Sequence, residues 1–412
     1  MLEIKLFDIQ AGFLAGYRDG RNIFTFSHDY INIDENSRPV FSLKYYNQSE
    51  NAFTRQLTSS QKLHPIFSNL LPEGELREYI VRNLKIHSDH EFMMLSHLGR
   101  DLPGALIATE LTADRIPPYA LQGRTRIEPI VISDNDSENN KFSLSGVLMK
   151  FSMVEENKKF FISKAKNIGK WIVKIPSTRF RHIPLNEYSS MKLAFAAGIN
   201  IPTIGLVKLS DINGIPDIKM PDEKYAYTIK RFDRDKNKRV HAEDFAQIYE
   251  VFSIDKYQST NYDTIARTIY QLFPDAILDI QEFIARLVVN IMIGNGDAHL
   301  KNLSVIYPDR KNPALAPAYD ILFTRAYTVH DDSIALNLGK EKKTAKLTLD
   351  HFKTLARKAD IDWQIIKRRI YVTIDRARTT WPALLKELPM ADSQKKLLRQ
   401  YWKSLTNDFR ID

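Results

Sequence analysis

A short polar cluster interrupts an apolar tract in the second half of the chain. From position 291 the sequence reads Ile-Met-Ile-Gly-Asn-Gly-Asp297-Ala-His299-Leu-Lys301-Asn302-Leu-Ser-Val-Ile306. Four residues separate Asp297 from Asn302. A second acid, Asp320, follows in Leu315-Ala-Pro-Ala-Tyr319-Asp320, after an apolar strand and a turn. One amide and one carboxylate are hard oxygen donors, a set that suits Mg²⁺, which keeps several of its waters. A further carboxylate beside them can accept a proton from a reacting hydroxyl. Asp and Asn are also common turn formers, so the spacing by itself equally describes a polar loop whose side chains cap turns.

Upstream, Lys174 lies inside the apolar run Trp171-Ile-Val-Lys-Ile-Pro176. Its ammonium must reach water or find a partner, because burying a lone charge is expensive. Glu187, thirteen residues on at the start of the next helix, could be that partner. The alternative is an edge-strand amine in water and a first-turn carboxylate favoured by the helix dipole. Ahead of the strand, Ser143-Leu-Ser145-Gly146-Val-Leu148-Met149-Lys150 sets one glycine among hydroxyls. Exposed amides and hydroxyls there could cover phosphate oxygens, or simply make a hairpin turn. A strand lysine, then Asp-x-x-x-x-Asn, a strand and an Asp is the order that protein kinases use. In them the first Asp orients and deprotonates the acceptor hydroxyl, the Asn and second Asp hold magnesium, and the lysine touches the ATP phosphates. Taken in this order, the pieces favour phosphoryl transfer.

The elements that must position these groups follow from the apolar pattern. Ile4–Phe7 and Ile23–Phe26 read as short strands, with Gly12, Gly16 and Gly20 as separators. The recurrence of Leu70, Leu71, Leu76, Ile80, Leu84, Met94 and Leu98 predicts a helix from Phe67 to Leu98. Leu102-Pro-Gly104 is a turn, and Ala105 to Ala108 begins a strand. Residues 112–141 are rich in Pro, Asp, Asn, Arg and Ser and read as a connecting segment. Strands follow at Phe142–Met153, Phe160–Ser163 and Trp171–Ile175. A helix from Asn186 to Ala197 comes next, stopped by Gly198 in the C′ position. Strands at Thr203–Leu209 and Tyr225–Phe232 close this block, and the pattern from His241 onward is mostly helical. A β-rich, then mixed, then helical order points to α+β lobes, not an alternating βαβ sheet.

Composition removes several classes. The 412 residues suggest two or three structural units. The chain has no cysteine, which excludes disulfides, thiolate metal sites and a cysteine nucleophile. None of its 15 glycines falls in G-x-G-x-x-G, G-x-x-x-x-G-K-[ST] or G-x-S-x-G, so the dinucleotide, Walker and nucleophile-elbow patterns are missing. The N-terminus is charged within its first ten residues, unlike a signal-peptide core. The most apolar stretch, Phe283–Ile293, is interrupted by Arg286 and Asn290 and is too short to span a bilayer. A soluble, cytoplasmic protein with no membrane partner is expected.

Together the motifs resemble the HipA family of bacterial serine/threonine kinase toxins, over nearly the whole chain. Phe67-Ser-Asn-Leu-Leu-Pro-Glu-Gly74 and Leu98-Gly-Arg-Asp-Leu-Pro-Gly-Ala105 resemble its N-terminal signatures, and Ser143–Lys150 its serine-containing loop. Trp171–Pro176 with Asn186-Glu187, Ile229-Lys-Arg-Phe-Asp-Arg234 and Glu243-Asp-Phe-Ala-Gln247 resemble the ATP-lysine strand, the adenine hinge and a further family stretch. Gly294–Asn302 and Pro317-Ala-Tyr-Asp320 resemble the catalytic and metal motifs. The resemblance implies a two-lobed, kinase-like α+β fold. Its parts would be an N-terminal subdomain over 1–110, a linker over 111–140, an ATP-binding lobe over 141–232 and a helical lobe over 233–412. It also implies ATP and Mg²⁺ as cofactors. Lys174, Ser143, Ser145, Gly146, Lys230, Phe232, His299 and Lys301 would be nucleotide-binding, Asp297 the catalytic base, and Asn302 and Asp320 the metal ligands. Ser143 or Ser145 would be the autophosphorylation site, where an added phosphate places nearly two negative charges beside those of ATP. The implied partners are a protein substrate such as an aminoacyl-tRNA synthetase and a HipB-like DNA-binding antitoxin. The chain departs from the family pattern at Leu148, where the family commonly has Gln, at Met149, and at Lys230, where a glutamate is frequent. His-Arg does not precede Asp297 and Phe-Gly does not follow Asp320, so this is not a eukaryotic-type kinase.

Two other functions fit parts of the pattern. One is a catalytically weak pseudokinase that acts as a binding module in a DNA-bound antitoxin complex. The other is a metal-dependent nuclease built on Asp297 and His299, suggested by the net charge of +9. That charge is local. Residues 340–412 hold 18 Lys plus Arg against 9 Asp plus Glu, and the rest of the chain is balanced. Its main clusters are Lys367-Arg368-Arg369, Arg376, Arg378, Lys395-Lys396 and Arg399. The segment is either a solvated helical face or a nucleic-acid contact, and it is separate from the Asp297 motif.

Overall fold

The computed structural model describes residues 1–121, 130, 149–163, 169–216, 218–236, 238–328 and 332–412. The loop carrying Ser143, Ser145, Gly146 and Leu148 lies outside the described residues. The protein is α+β and forms two compact units, each assembled from separate stretches of chain. The first comprises 1–172, 233–253 and 306–312. The second comprises 173–232, 254–305 and 313–412.

The first unit is built on a five-stranded antiparallel sheet. Its spatial order is Leu57–Ser60, Arg21–Phe26, Ile9–Gly16, Leu2–Leu6 and Leu106–Glu110. Gly12 and Gly16 do not separate strands, as the sequence suggested; both lie inside Ile9–Gly16. Neighbouring atoms crowd each one. A Cβ on Gly12 would meet the Thr25 carbonyl oxygen at 2.3 Å and the Phe24 ring at 2.7 Å, and one on Gly16 would meet the Phe92 ring at 2.6 Å. The single helix expected over 67–98 is three helices, Pro65–Ser68, Gly74–Leu84 and Glu91–Leu98. Pro72 lacks an N–H for a continuous helix, and Lys85 ends the second piece in the left-handed region at φ 52°. The apolar positions still do their work, since Leu70, Leu71, Leu76, Ile80, Met94 and Leu98 are all buried. Rings of Phe24, Phe26, Tyr30, Phe41, Tyr45, Phe53 and Phe67 pack together beneath the sheet.

Among the buried ionisable groups of this unit, His241 and Glu243 are shifted in ways that act on stability. His241 has both ring nitrogens engaged, with Nε2 3.0 Å from the Phe41 carbonyl and Nδ1 accepting from the Ala105 N–H. Burial lowers its pKa to about 4 against the weaker opposing effect of the Phe41 bond, so the imidazole is neutral. Glu243 accepts from the Leu43 N–H at 2.6 Å and the Tyr307 hydroxyl at 2.5 Å. Burial nevertheless raises its pKa to about 7. The two groups act on stability with opposite signs. Folded His241 binds fewer protons than the unfolded chain between pH 4 and 6.5, so its contribution rises with pH there. Folded Glu243 binds more protons between pH 4.5 and 7, so its contribution falls with rising pH. In Glu243→Gln the second effect is gone. Its stability relative to wild type should therefore climb by on the order of 3 kcal/mol between pH 4.5 and 7. Urea unfolding at several pH values measures this, and a pH-independent difference would rule it out.

The second unit begins at Val173, within the strand Trp171–Lys174, whose neighbours in order are Tyr225–Lys230 and Ile204–Lys208, the last pair antiparallel. The helix Ile183–Ala196 starts three residues earlier than the sequence suggested, with Pro184 in its first turn. It ends as expected, with Gly198 at φ 92° after the Ala197 cap. The helix Ala276–Ile293 is the centre of this unit and is buried without a break from Phe283 to Ile293. Arg286, inside that run, is held by Glu282 at 3.0 Å. Strands at 304–307, 314–315, 333–338 and 341–343 interrupt the helical pattern, which resumes in Leu349–Ala359, Trp363–Glu387 and Asp392–Ser404. No helix among the described residues is long and apolar enough to cross a membrane.

Part of the basic excess is used inside this unit. Arg369 donates to the Gly198 carbonyl at 2.6 Å and to Glu282 at 3.1 Å. Arg378 donates to the carbonyls of Arg410, Asn407 and Asp408. Arg368, Arg376, Lys396 and Arg399 are exposed.

Candidate active site

The residues singled out for chemistry and described by the structure all fall in the second unit. Lys174 ends its strand, buried, and its ammonium donates to two carboxylates. One is Glu187 Oε1 at 2.6 Å and the other is Asp320 Oδ1. Burial alone would strip the charge from this lysine. The attraction of Asp320 and Glu187, together with their hydrogen bonds, outweighs it and holds the pKa above the usual lysine range. Glu187 is not in the first helical turn, so the dipole explanation of that residue falls. Its side chain is 2% exposed, and it lies where the helix passes the strand end. The cluster of one cation and two anions carries one net negative charge.

Tyr227 lies beside this cluster, and the Lys174 Nζ is 5.7 Å from its ring centroid. Its buried hydroxyl has no hydrogen-bond partner among the described residues. Burial, then the charges of Glu187 and Asp320, push the phenol far above its ordinary range.

Asp320 adopts φ 53°, a left-handed backbone unusual for a residue with a side chain. The segment after it is pinned by Asn186, whose amide bonds both the N–H and the carbonyl of Phe323, at 2.9 and 3.1 Å. Asn295 ties the two acidic positions together. Its Nδ2 donates to the Asp320 carbonyl at 3.3 Å, and its Oδ1 accepts from the Asp297 N–H at 3.1 Å.

The Asp297 loop follows the central helix directly and is fixed from several sides. Asn302 Nδ2 donates to the Asp297 carbonyl at 2.7 Å, the Tyr262 hydroxyl to the Ala298 carbonyl at 2.9 Å, and the Gly296 N–H to Thr324 at 2.8 Å. The Asp297 side chain is 41% exposed, with His299 Nε2 3.7 Å from its Oδ1. Tyr257 also donates its hydroxyl to that oxygen.

The remaining expected residues lie as follows. Phe232 packs its ring against Tyr319, centroids 5.6 Å apart, one residue before Asp320. The Tyr319 hydroxyl in turn donates to the carbonyl of Lys301 at 2.9 Å, and the Lys301 side chain is buried. Lys230 is exposed, and its N–H donates to the Thr203 carbonyl at 2.8 Å. Ser143, Ser145 and Gly146 are outside the described residues. Sequence reasoning missed Asn295, Tyr227 and Tyr257, and saw Asn186 only as a neighbour of Glu187. None of these sits at a spacing that announces it.

As a metal site, the donor set fits. Asn302 uses its Nδ2 within the protein, so its amide oxygen is the atom that could ligate, and Asp320 could offer the carboxylate whose Oδ1 also accepts from Lys174. Both are hard oxygen donors of the kind Mg²⁺ takes, and the net negative charge of the cluster that includes Asp320 favours a cation. Among the described residues no group of three or more His, Asp or Glu side chains forms a denser cage, and Mg²⁺ on a nucleotide needs none.

Comparison with known proteins places the whole chain. The "HipA N-terminal domain" family matches residues 2–109 and the "HipA-like C-terminal domain" family matches 142–381. The Sinorhizobium fredii protein "Putative kinase Y4dM" is 38% identical over 394 residues, covering 95% of this chain and 93% of the relative. The "Serine/threonine-protein kinase toxin HipA" of Shewanella oneidensis is 23% identical over 318 residues, 69% of this chain and 68% of that one. The fold matches HipA in the solved Shewanella oneidensis complex of HipA, HipB and operator DNA, with TM-score 0.71 at 17% identity. That match covers 98% of this chain and 95% of the other.

Proposed function

The chain belongs to the HipA family, and on that premise we propose that it is an ATP- and Mg²⁺-dependent serine/threonine protein kinase, the toxin of a toxin–antitoxin pair. One observation carries this reading. A strand lysine meets both a helix glutamate thirteen positions on and an aspartate 146 positions on, in a buried cluster. In protein kinases the strand lysine, the helix glutamate and the metal-binding aspartate must be in place together for transfer.

Bound ATP supplies the phosphoryl group, and Mg²⁺ supplies charge neutralisation on its phosphates. The chain's own residues do the rest. Glu187 orients Lys174, whose fixed positive charge binds phosphate oxygens. Asn302 and Asp320 hold the metal through oxygen atoms. Phe232 offers its ring, and the Lys230 segment its backbone, to the purine. Asp297 takes the proton of the acceptor hydroxyl, and its exposure leaves it open to a protein substrate. His299 and Lys301 support this loop next to the phosphates. From the sequence motif, Ser143, Ser145 and Gly146 would contribute the phosphate-covering loop, with one serine as the self-phosphorylation site. A translation component such as an aminoacyl-tRNA synthetase is the proposed substrate. A HipB-like antitoxin is the proposed partner, and the exposed arginines and lysines of 340–412 are the proposed nucleic-acid contact.

Calorimetric titration with ATP and Mg²⁺, followed by incubation with γ-labelled ATP, tests the reading. The expected result is magnesium-dependent binding and label on serine or threonine. Binding without transfer would indicate a pseudokinase, and neither binding nor transfer would remove the kinase reading.

A further inference from the structure

The backbone of Asp297 is held at both its N–H and its carbonyl, by Asn295 and Asn302. Those bonds set where the side chain starts, not where the carboxylate points. Two rotatable bonds remain, and a half-exposed aspartate can occupy several staggered rotamers about them. Tyr257, forty positions upstream, constrains the carboxylate directly by donating its hydroxyl to Asp297 Oδ1.

Tyr257 is itself well anchored. Its ring stands edge-on to His299, with centroids 4.9 Å apart and planes at 81°. Its carbonyl accepts from Lys342 Nζ at 3.2 Å, reaching across from the strand Glu341–Lys343. His299 Nε2 approaches the same Oδ1, so the phenol and the imidazole address one oxygen of the carboxylate. A hydroxyl there could either orient the carboxylate or compete with the acceptor for it. The fixed ring and tied backbone favour orientation. A carboxylate has about four acceptor positions over two oxygens, so one donor does not use it up.

We propose that Tyr257 is a positioning residue for phosphoryl transfer, its hydroxyl locking the Asp297 carboxylate in the orientation from which it takes the acceptor's proton. This rests on the kinase reading of Asp297. Tyr257 keeps its own proton throughout: the acceptor proton goes to Asp297, and the phenol only holds the base in place. Proper placement of a reacting group is worth orders of magnitude in rate even when nothing in substrate binding changes.

The test is Tyr257→Phe in the full chain, which keeps the ring against His299 and removes only the hydroxyl. Wild type, Tyr257→Phe and Asp297→Ala are assayed with γ-labelled ATP and a serine/threonine peptide array. For Tyr257→Phe, kcat should fall about 10- to 100-fold. KM for ATP should stay within about twofold and the melting temperature should be unchanged. An unchanged kcat overturns the proposal. So does a rise in kcat/KM, or phosphate mapped to Tyr257, either of which would mark the phenol as a competing acceptor. A wild type without transfer activity would overturn the kinase reading, and this inference with it.

Discussion

Asp297→Ala should slow phosphoryl transfer by about 10²–10⁴-fold while leaving the fold and nucleotide affinity intact. The loop that carries Asp297 is held through backbone atoms by Asn295, Asn302, Tyr262 and Thr324, and none of those bonds uses the carboxylate. The carboxylate is partly exposed, so its loss empties no core, and Tyr257, also partly exposed, can turn its hydroxyl to water. The residues proposed to hold ATP and metal, Lys174, Asn302 and Asp320, are untouched. What disappears is the proposed acceptor of the substrate proton, and such a group contributes about 10²–10⁴ in rate. Steady-state transfer from labelled ATP, beside a calorimetric ATP titration, measures both halves. Transfer near the wild-type rate would assign the base elsewhere. Lost ATP binding would mean that Asp297 acts on the nucleotide and not on the acceptor.

The second large effect is on stability as well as activity. Lys174→Met removes the cation that compensates two carboxylates, one of them 2% exposed. Truncating one partner of a buried pair costs more than the pair contributes, because the remaining charge is left unpaired in low dielectric. About 3–5 kcal/mol of destabilisation is expected, together with loss of nucleotide binding. Adding Glu187→Gln should recover much of the stability, since a neutral amide tolerates the site better, and none of the activity. Chemical denaturation of the single and double variants reads this directly. A Lys174→Met protein as stable as wild type would show that Glu187 has found another partner.

Much of this site was legible before any coordinates. The order of Lys174, Asp297, Asn302 and Asp320 is a pattern in one dimension, and the strand lysine demanded a partner on energetic grounds alone. Glu187 was its natural candidate, and the two are bonded. The second partner was not legible, because Asp320 lies 146 residues away and only the fold brings it to the same ammonium. Asn295 and Tyr257 were invisible for a related reason. Each acts by hydrogen bonds to a backbone or carboxylate atom that any loop could supply, and nothing in local spacing marks such a residue. The helix expected over 67–98 failed where chain stereochemistry overrode apolar periodicity, at Pro72 and Lys85. Gly12 and Gly16 misled in the opposite way. They looked like turn residues, yet they sit in a strand, at positions where the Thr25 carbonyl with the Phe24 ring, and the Phe92 ring, leave no space for a side chain.

The basic C-terminal segment also looks different in three dimensions. As a count it was an undivided excess, but Arg369 and Arg378 cap carbonyls within the unit. Arg368, Arg376, Lys396 and Arg399 are exposed, and they are the part of the excess to which the proposed nucleic-acid contact narrows.

The central claim is that this chain transfers phosphate to protein through Asp297. The most direct measurement is phosphoproteomics on cells after brief expression of the wild type, compared with cells expressing Asp297→Ala at equal level. Serine or threonine sites should gain phosphate with the wild type alone, on the chain itself and on at least one cellular protein. Identical phosphoproteomes, with the wild-type protein folded and binding ATP, would contradict it.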